Sequence, residues 1–286
     1  MDKPIIKWTG SKRSQAKRIL MYFPTEIETY YEPFAGGCSV LYQLLKQKWH
    51  IQHYIVSDIC PDLIALWKLI QTNPNQLAKD YTDHWIKLQQ NGHAYYYEIR
   101  EHFNQTRNPS DFFFLSRTCI NGLTRFNQNH EFNSPLHITR KGMNPKTMRI
   151  IILQWATLIK EVQFRCVDYR SITPVSSEDF LYIDPPYSQS GNIYYGNIDF
   201  NEFIHWVSII PCGYAISLNA IKKSLDNAND ILPPTLYDQK EIIKSGISPY
   251  GLVLYNQRNM IHEYLYLRYH NQKPRYTKTY KIDAFL

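Results

Sequence analysis

Between residues 29 and 70 the chain reads strand, glycine turn, helix, strand, acid, helix, and that order leaves few folds open. Thr29–Phe34 is a short β-prone run that stops at Gly36-Gly37, and Ser39–Gln47 then sets Val40, Leu41, Leu44 and Leu45 at helical spacing. Ile51–Ser57 is a second strand, closed by Asp58. Pro61 stands where a first helical turn tolerates proline, because the N–H it lacks would have no partner there, and opens a helix through Leu63, Leu66, Trp67 and Ile70. Strands alternating with helices in this way predict a doubly wound α/β sheet.

The alternation breaks and then resumes. From about Asn73 to Asn144 the pattern becomes helical pieces, Gln76–Gln89, His93–Phe103 and Asp111–Cys119, followed by a polar, Asn-rich stretch, Asn121–Asn144, with little periodicity. A long irregular loop of this kind in a compact protein is usually functional or disordered. A helix over Pro145–Glu161 restores the pattern, with strands at Val162–Val167, Phe180–Ile183 and Tyr214–Leu218 and a late hairpin from Leu236–Ile243 and His262–Tyr269. An amphipathic helix is expected over Ser11–Phe23, burying Ala16, Ile19, Leu20 and Phe23. The simplest organisation is one α/β domain from residues 1–72 and 145–286, with a mainly helical insert at 73–144.

Charge follows the same division. Of the net +7 on 286 residues, six basic residues against one acid fall in 1–18, and eight against three in 100–149. Residues 268–281 hold five basic residues and no acid. Such clusters are the footprint of phosphate neutralisation, or else solvated faces and a loose tail. Apolar runs are far too short to cross a bilayer, and the polar, basic start of the chain is not expected to act as a secretory signal. Five scattered cysteines without a CxxC pair argue for a reducing compartment and against a disulfide framework or a zinc site. No metal is expected.

The sharpest local signal is Asp184-Pro185-Pro186-Tyr187, directly after the apolar strand Phe180–Ile183. Two prolines stiffen the backbone and remove two donors, so nearby carbonyls stand ready as acceptors. Asp184 adds a carboxylate at the C-terminal end of a strand, where open α/β sheets place their ligands. Acceptors beside the flat ring of Tyr187 suit a planar base bearing an exocyclic amine. Gly36 and Gly37 let the backbone turn tightly and approach a ligand, and Asp58 can accept from both hydroxyls of a ribose, although acids at strand ends also serve as helix caps.

With these residues in view, the chain resembles the Dam-type (α-group) DNA adenine N6-methyltransferases. Lys7-Trp8-Thr9-Gly10-Ser11-Lys12 is similar to the family's N-terminal segment, Glu32-Pro33-Phe34-Ala35-Gly36-Gly37 to its cofactor loop, and Ser57-Asp58 to its ribose-binding strand end. Asn121–Asn127 with Glu131–Pro135 resembles the target-recognition segment, and Asp184–Tyr187 the catalytic tetrapeptide. The likeness covers most of the chain and keeps the order of elements. It implies a Rossmann-like methyltransferase sheet, with 73–144 as an inserted target-recognition domain, and S-adenosyl-L-methionine as cofactor. Trp8, Lys12, Phe34, Gly36, Asp58, Asp168 and Asp184 would lie at that cofactor. The pattern wants a third glycine at Cys38, where this chain departs from it.

The reaction so implied is methyl transfer to N6 of an adenine that has left the duplex stack. Asp184 and the Pro185 carbonyl would accept from the amine, and Tyr187 would stack on the base. Arg125 is the candidate for a bidentate guanine contact and Asn121 for a contact at the gap left by flipping, unless both only order the loop; Asn127, Arg140 and Lys141 complete the expected DNA-binding set. Ile120 and Leu136-His137-Ile138-Thr139, where GATC-specific relatives tend to carry an aromatic and Phe-Gly-Arg-Tyr, separate the chain from that specificity. Expected partners are double-stranded DNA and, in a restriction-modification setting, a cognate restriction endonuclease acting on the same site. A cytoplasmic monomer of prokaryotic or viral type, without membrane association, is expected. Cytosine N4 methylation, RNA methylation and a non-catalytic DNA-binding role are the competing readings; Asp184 weighs against the first, the likeness of the Arg125 segment to DNA readers against the second, and the intact Asp184–Tyr187 and Asp58 against the last.

Overall fold

The computed structural model describes residues 3–47, 49–139, 142–186, 198–219, 232–247, 260–270, 272 and 274. Seven strands build one sheet: β1 Ile27–Glu32, β2 Ile51–Asp58, β3 Val162–Cys166, β4 Phe180–Ile183, β5 Gly213–Asn219, β6 Gln239–Ile247 and β7 Met260–Arg268. Their order is β3-β2-β1-β4-β5-β7-β6. The first five run parallel, and β7 lies antiparallel to both β5 and β6. The run 3-2-1-4-5 is the doubly wound, Rossmann-like order, with its reversal between β1 and β4. The late hairpin expected from the sequence is β6–β7, and β7 inserts between β5 and β6.

The sheet is covered on both faces, and the side-chain alternation of β4 shows how. Phe180 and Tyr182 enter one apolar cluster while Leu181 and Ile183 enter the other, all of them buried. The first face carries α1 Ala16–Leu20, α2 Ser39–Lys46, α3 Pro61–Thr72 and α7 Pro145–Leu158; the second carries α8 Phe200–Ser208, which packs Phe203, Trp206 and Val207. Residues 73–144 contribute α4 Pro74–Asn91, α5 His93–Thr106 and α6 Pro109–Thr118. Their buried Tyr96, Phe103, Phe112 and Phe113 belong to the same cluster as Trp67 and Phe164 beneath the sheet. Residues 73–144 therefore share the core of the first face.

Four of these helices, α3, α4, α6 and α7, begin on a proline. The position asks for no N–H, and the fixed φ is already helical. Asn108, Asn144 and Asp199 cap α6, α7 and α8 by accepting from backbone N–H groups one turn on. Two expectations change. The helix expected over Ser11–Phe23 shortens to Ala16–Leu20, although Ala16, Ile19, Leu20 and Phe23 are all buried. Ahead of it the chain turns through Gly10 at positive φ and sends Lys12 into the end of the sheet. Helix α8 was not anticipated. Its apolar side chains fill the second face, to which the sequence reading assigned no helix.

Candidate active site

The C-terminal ends of β1, β2 and β4 open together into a cleft of about 220 Å³. Its most constrained wall is the turn between β1 and α2. Gly36 has φ +45, and a Cβ there would stand 2.9 Å from Cδ1 of Trp8. The Trp8 ring thus lies against glycine backbone that no larger residue could leave room for. Trp67 Nε1 donates to the Gly36 carbonyl at 3.1 Å, and the Gly36 N–H donates to Asp58 Oδ2 at 3.1 Å. The departure at Cys38 acquires a physical meaning: its φ is +50, so the left-handed turn that a third glycine would make freely is made here by a cysteine.

Asp58 does two things at once. Besides Gly36 it accepts from the Cys60 N–H at 3.0 Å, at the entry to α3, so the helix-cap reading and the cleft-wall reading describe the same side chain. Burial raises its pKa, and the backbone donors Cys60, Gly36 and Ile59 act against that rise. Across the cleft Asp168 caps the short turn Tyr169–Ser171 and is gripped by Arg170, whose Nε and Nη2 lie 2.8 and 3.1 Å from its two oxygens. Hydrogen bonding to Arg170 holds the Asp168 carboxyl below the usual range. Arg170 also reaches Glu202 of α8 at 2.7 Å, and the Phe34 and Tyr169 rings sit 5.4 Å apart beside it.

At the other end Asp184 and Pro185 follow β4. Lys12, 3% exposed, places its Nζ 3.0 Å from Asp184 Oδ1 and 3.4 Å from Glu263 Oε1 on β7. Burial alone would lower the Lys12 pKa, but the two carboxylates outweigh it and the ammonium is held above its ordinary value. Glu32, at the end of β1, is buried and accepts from Tyr30 Oη at 2.6 Å. Burial, with the Asp184 charge nearby, pushes it up to about 8, so it is mostly protonated at neutral pH.

All seven residues expected at the cofactor, Trp8, Lys12, Phe34, Gly36, Asp58, Asp168 and Asp184, line this one cleft, as does Pro185. Lys12 differs in aim, since its ammonium faces the carboxylates of Asp184 and Glu263. Tyr187, Arg140 and Lys141 lie outside the described residues. The lining holds six acids and two cations, and both cations are paired with acids. That donor set suits a cationic ligand with hydroxyl and amino groups and does not suit a phosphate. Thr9 Oγ1, also in the lining, is buried without a partner among the described residues. Arg170, Tyr169 and Glu263 escaped the sequence reading. The first two adjoin Asp168 and could have been taken with it, whereas nothing local marks Glu263.

The segment at 119–139 is built differently. The Asn127 side chain accepts from the Asn129 and Glu131 N–H groups at 3.0 and 2.9 Å and donates to Glu131 Oε2 at 2.7 Å. Its amide closes the turn, an ordering role. Ser134 Oγ accepts from the Arg125 N–H at 3.1 Å and donates to the Leu123 carbonyl. Bridges Cys119↔Leu136 and Phe126↔Phe132 fold the segment back on itself. Asn121 is exposed at φ +52, a backbone that asparagine tolerates, and Gly122 behind it lies against the stem of Lys7. Arg125 is partly exposed, and its buried Nε has no partner among the described residues.

The chain is similar to DNA methyltransferases. A type II methyltransferase, M.MjaIII of Methanocaldococcus jannaschii, is 34% identical over 70% of this chain and 75% of its own length. A second, M.CviBI of Paramecium bursaria Chlorella virus NC1A, is 31% identical over 65% and 69%. The DNA adenine methylase of Haemophilus influenzae is 29% identical over 65% and 64%. Among solved structures, the rRNA methyltransferase aviRa of Streptomyces viridochromogenes aligns over 88% of this chain and 81% of its own at 15% identity, with a TM-score of 0.36. The fold assignment rests on the strand order. Residues 8–208, which carry the cleft from Trp8 through Glu202, match the D12 class N6 adenine-specific DNA methyltransferase family, and the chain belongs to it.

Proposed function

We propose that this protein transfers the methyl group of S-adenosyl-L-methionine to N6 of an adenine drawn out of a short duplex recognition sequence. The observation that carries the reading is an acid-rich cleft that runs from the Gly36 turn to a carboxylate, Asp184, held in place by a buried lysine. When bound, the cofactor supplies an electrophilic methyl group on a sulfonium. Trp8, Phe34, Gly36, Asp58 and Asp168 are the residues that would hold it: aromatic faces for its adenine, Asp58 for ribose hydroxyls, and acids for its positive charge.

Asp184 and the Pro185 carbonyl act on the substrate amine. That lone pair is conjugated into the ring and is a poor nucleophile. Accepting hydrogen bonds from the amine favours a tetrahedral nitrogen and turns its lone pair toward the methyl carbon. The base must leave the stack for this, and Tyr187 is assigned its stacking partner by sequence. Residues 73–144 act as the target-recognition unit, with Asn121 and Arg125 as readers and Arg140 and Lys141 as phosphate contacts; Asn127 shapes the turn that presents them. A restriction-modification or Dam-like setting, a cytoplasmic monomer and a cognate endonuclease sharing the site complete the reading. It is supported by the names of the type II relatives.

Sequencing that reads N6-methyladenine in the DNA of a host expressing the gene tests it. Modified adenines confined to one short sequence context are expected. Unmodified adenine throughout, or modification of cytosine instead, refutes it.

A further inference from the structure

Glu263 stands at the reacting end of the sheet, yet it lies outside residues 8–208, which carry the family likeness. It sits on β7, opposite Asn219 of β5 and Ile243 of β6, and is 7% exposed. Its inward neighbours on the same strand face, Leu265 and Leu267, belong to the apolar core. A carboxylate in that row costs free energy unless it is paired, and a leucine would pack there as well. Its pairing is with Lys12 Nζ at 3.4 Å, the same ammonium that lies 3.0 Å from Asp184 Oδ1. Glu263 is not among the residues lining the cleft.

We propose that Glu263 is a positioning residue for methyl transfer: by anchoring Lys12 from behind, it fixes Asp184 and keeps the three-residue cluster at a net charge of minus one, so that Asp184 remains a strong acceptor for the adenine amine. The proposal rests on Asp184 being that acceptor. A Lys12–Asp184 pair alone would be neutral, with the ammonium drawn onto the oxygen that has to work. Among the described residues, Glu32 and Tyr182 also approach Asp184, and neither supplies the balancing charge. Glu32 on β1 is kept mostly neutral by burial and shares its hydrogen bond with Tyr30. Tyr182 on β4 is hydrogen-bonded through its hydroxyl to Ser217. Glu263 is the anion that remains.

The test compares Glu263→Gln, which keeps shape and removes charge, with Glu263→Asp, which keeps charge and shortens reach. In Glu263→Gln, kcat should fall roughly 10- to 100-fold, the range expected when a reacting group is slightly displaced. KM for S-adenosyl-L-methionine should stay within about twofold, since no contact to it is removed. The acid limb of the kcat profile should move to lower pH, because loss of a neighbouring anion eases the ionisation of Asp184. Lys12, followed by its 15Nζ resonance, should titrate at lower pH for the same reason. Glu263→Asp should lose rate and leave the acid limb where the wild type has it, and it carries the test should the amide variant fail to fold. Wild-type kcat and acid limb in Glu263→Gln overturn the proposal, as do equal pH shifts in both variants, which mark a packing effect. Asp184→Asn separates the two claims: an inactive Asp184→Asn beside an unaffected Glu263→Gln removes only the role of Glu263, whereas an active Asp184→Asn removes the acceptor reading and the proposal with it.

Discussion

The turn at residues 32–38 and the segment at 119–139 are both loops, yet they are held by different means. The first is fixed from far away in sequence: Trp8 and Trp67 press on or bond to Gly36, and Asp58 reaches across from the next strand. The second is shaped at its tip by its own bonds, the Asn127 turn, the Ser134 bonds to Leu123 and Arg125 and two short bridges, and is pinned at Phe132 and Ser134 by Asn104 and Tyr96 of α5. A loop fixed by its surroundings tolerates little change. One pinned at a few buried backbone points can exchange its outward side chains, such as the exposed Asn121, without disturbing the sheet. Under the proposed function, a constant cofactor and a variable DNA sequence call for that division.

The comparison can be broken most severely at Gly36. Gly36→Ala must adopt a left-handed backbone, at about 1–2 kcal/mol, and also push its Cβ into the Trp8 ring. Cofactor affinity measured by calorimetry should fall by at least about tenfold, with DNA binding retained. Equal affinity in Gly36→Ala would show that the turn is less constrained than its contacts imply.

Next comes the pH response of the same wall. Glu32 titrates at about 8 in the folded chain, above its ordinary 4.5. A group raised on folding contributes stability that is full below the unfolded value and is lost as pH rises through the folded one. Melting temperature should therefore decline between about pH 4.5 and 8 in the wild type, and Glu32→Gln should flatten that decline. Parallel curves for the two proteins would remove the assignment.

The recognition segment should answer with specificity and leave cofactor affinity alone. Arg125→Ala is expected to relax discrimination at one base pair by about 1–3 kcal/mol, read as methylation of near-cognate sites, with cofactor affinity unchanged. A uniform loss across all sequences would make Arg125 a phosphate contact.

The smallest effect is expected at Cys38. Replacing it by glycine relieves about 1 kcal/mol of left-handed strain and removes a buried thiol of comparable worth, so Cys38→Gly should melt near the wild type. Cys38→Val, branched where φ is +50, should melt well below both.

How far the molecule could be read in advance follows the same contrast. Strand ends and their motifs are local, so Glu32–Gly37, Asp58 and Asp184–Pro186 could be placed at one edge of one sheet from their order alone. The shortened first helix could not, because apolar spacing at Ala16, Ile19, Leu20 and Phe23 is satisfied by turns as well as by a helix once the sheet draws in Lys12. Glu263 was invisible for a related reason. Its position depends on β7 inserting beside β5, a pairing across more than forty residues that no local pattern announces. Asn127 was legible as a polar loop residue, but the direction of its amide, toward backbone donors of its own turn, is a matter of three-dimensional geometry.

In the proposed reaction the carboxylate between Lys12 and the cleft, Asp184, does the work of methyl transfer. Incorporation of tritiated methyl groups from S-adenosyl-L-methionine into unmethylated duplex DNA, compared between wild type and Asp184→Ala, tests it most directly. Label is expected in adenine from the wild type, and at least about a hundredfold less from the variant. No label in adenine from the wild type, or equal labelling by Asp184→Ala, would contradict it.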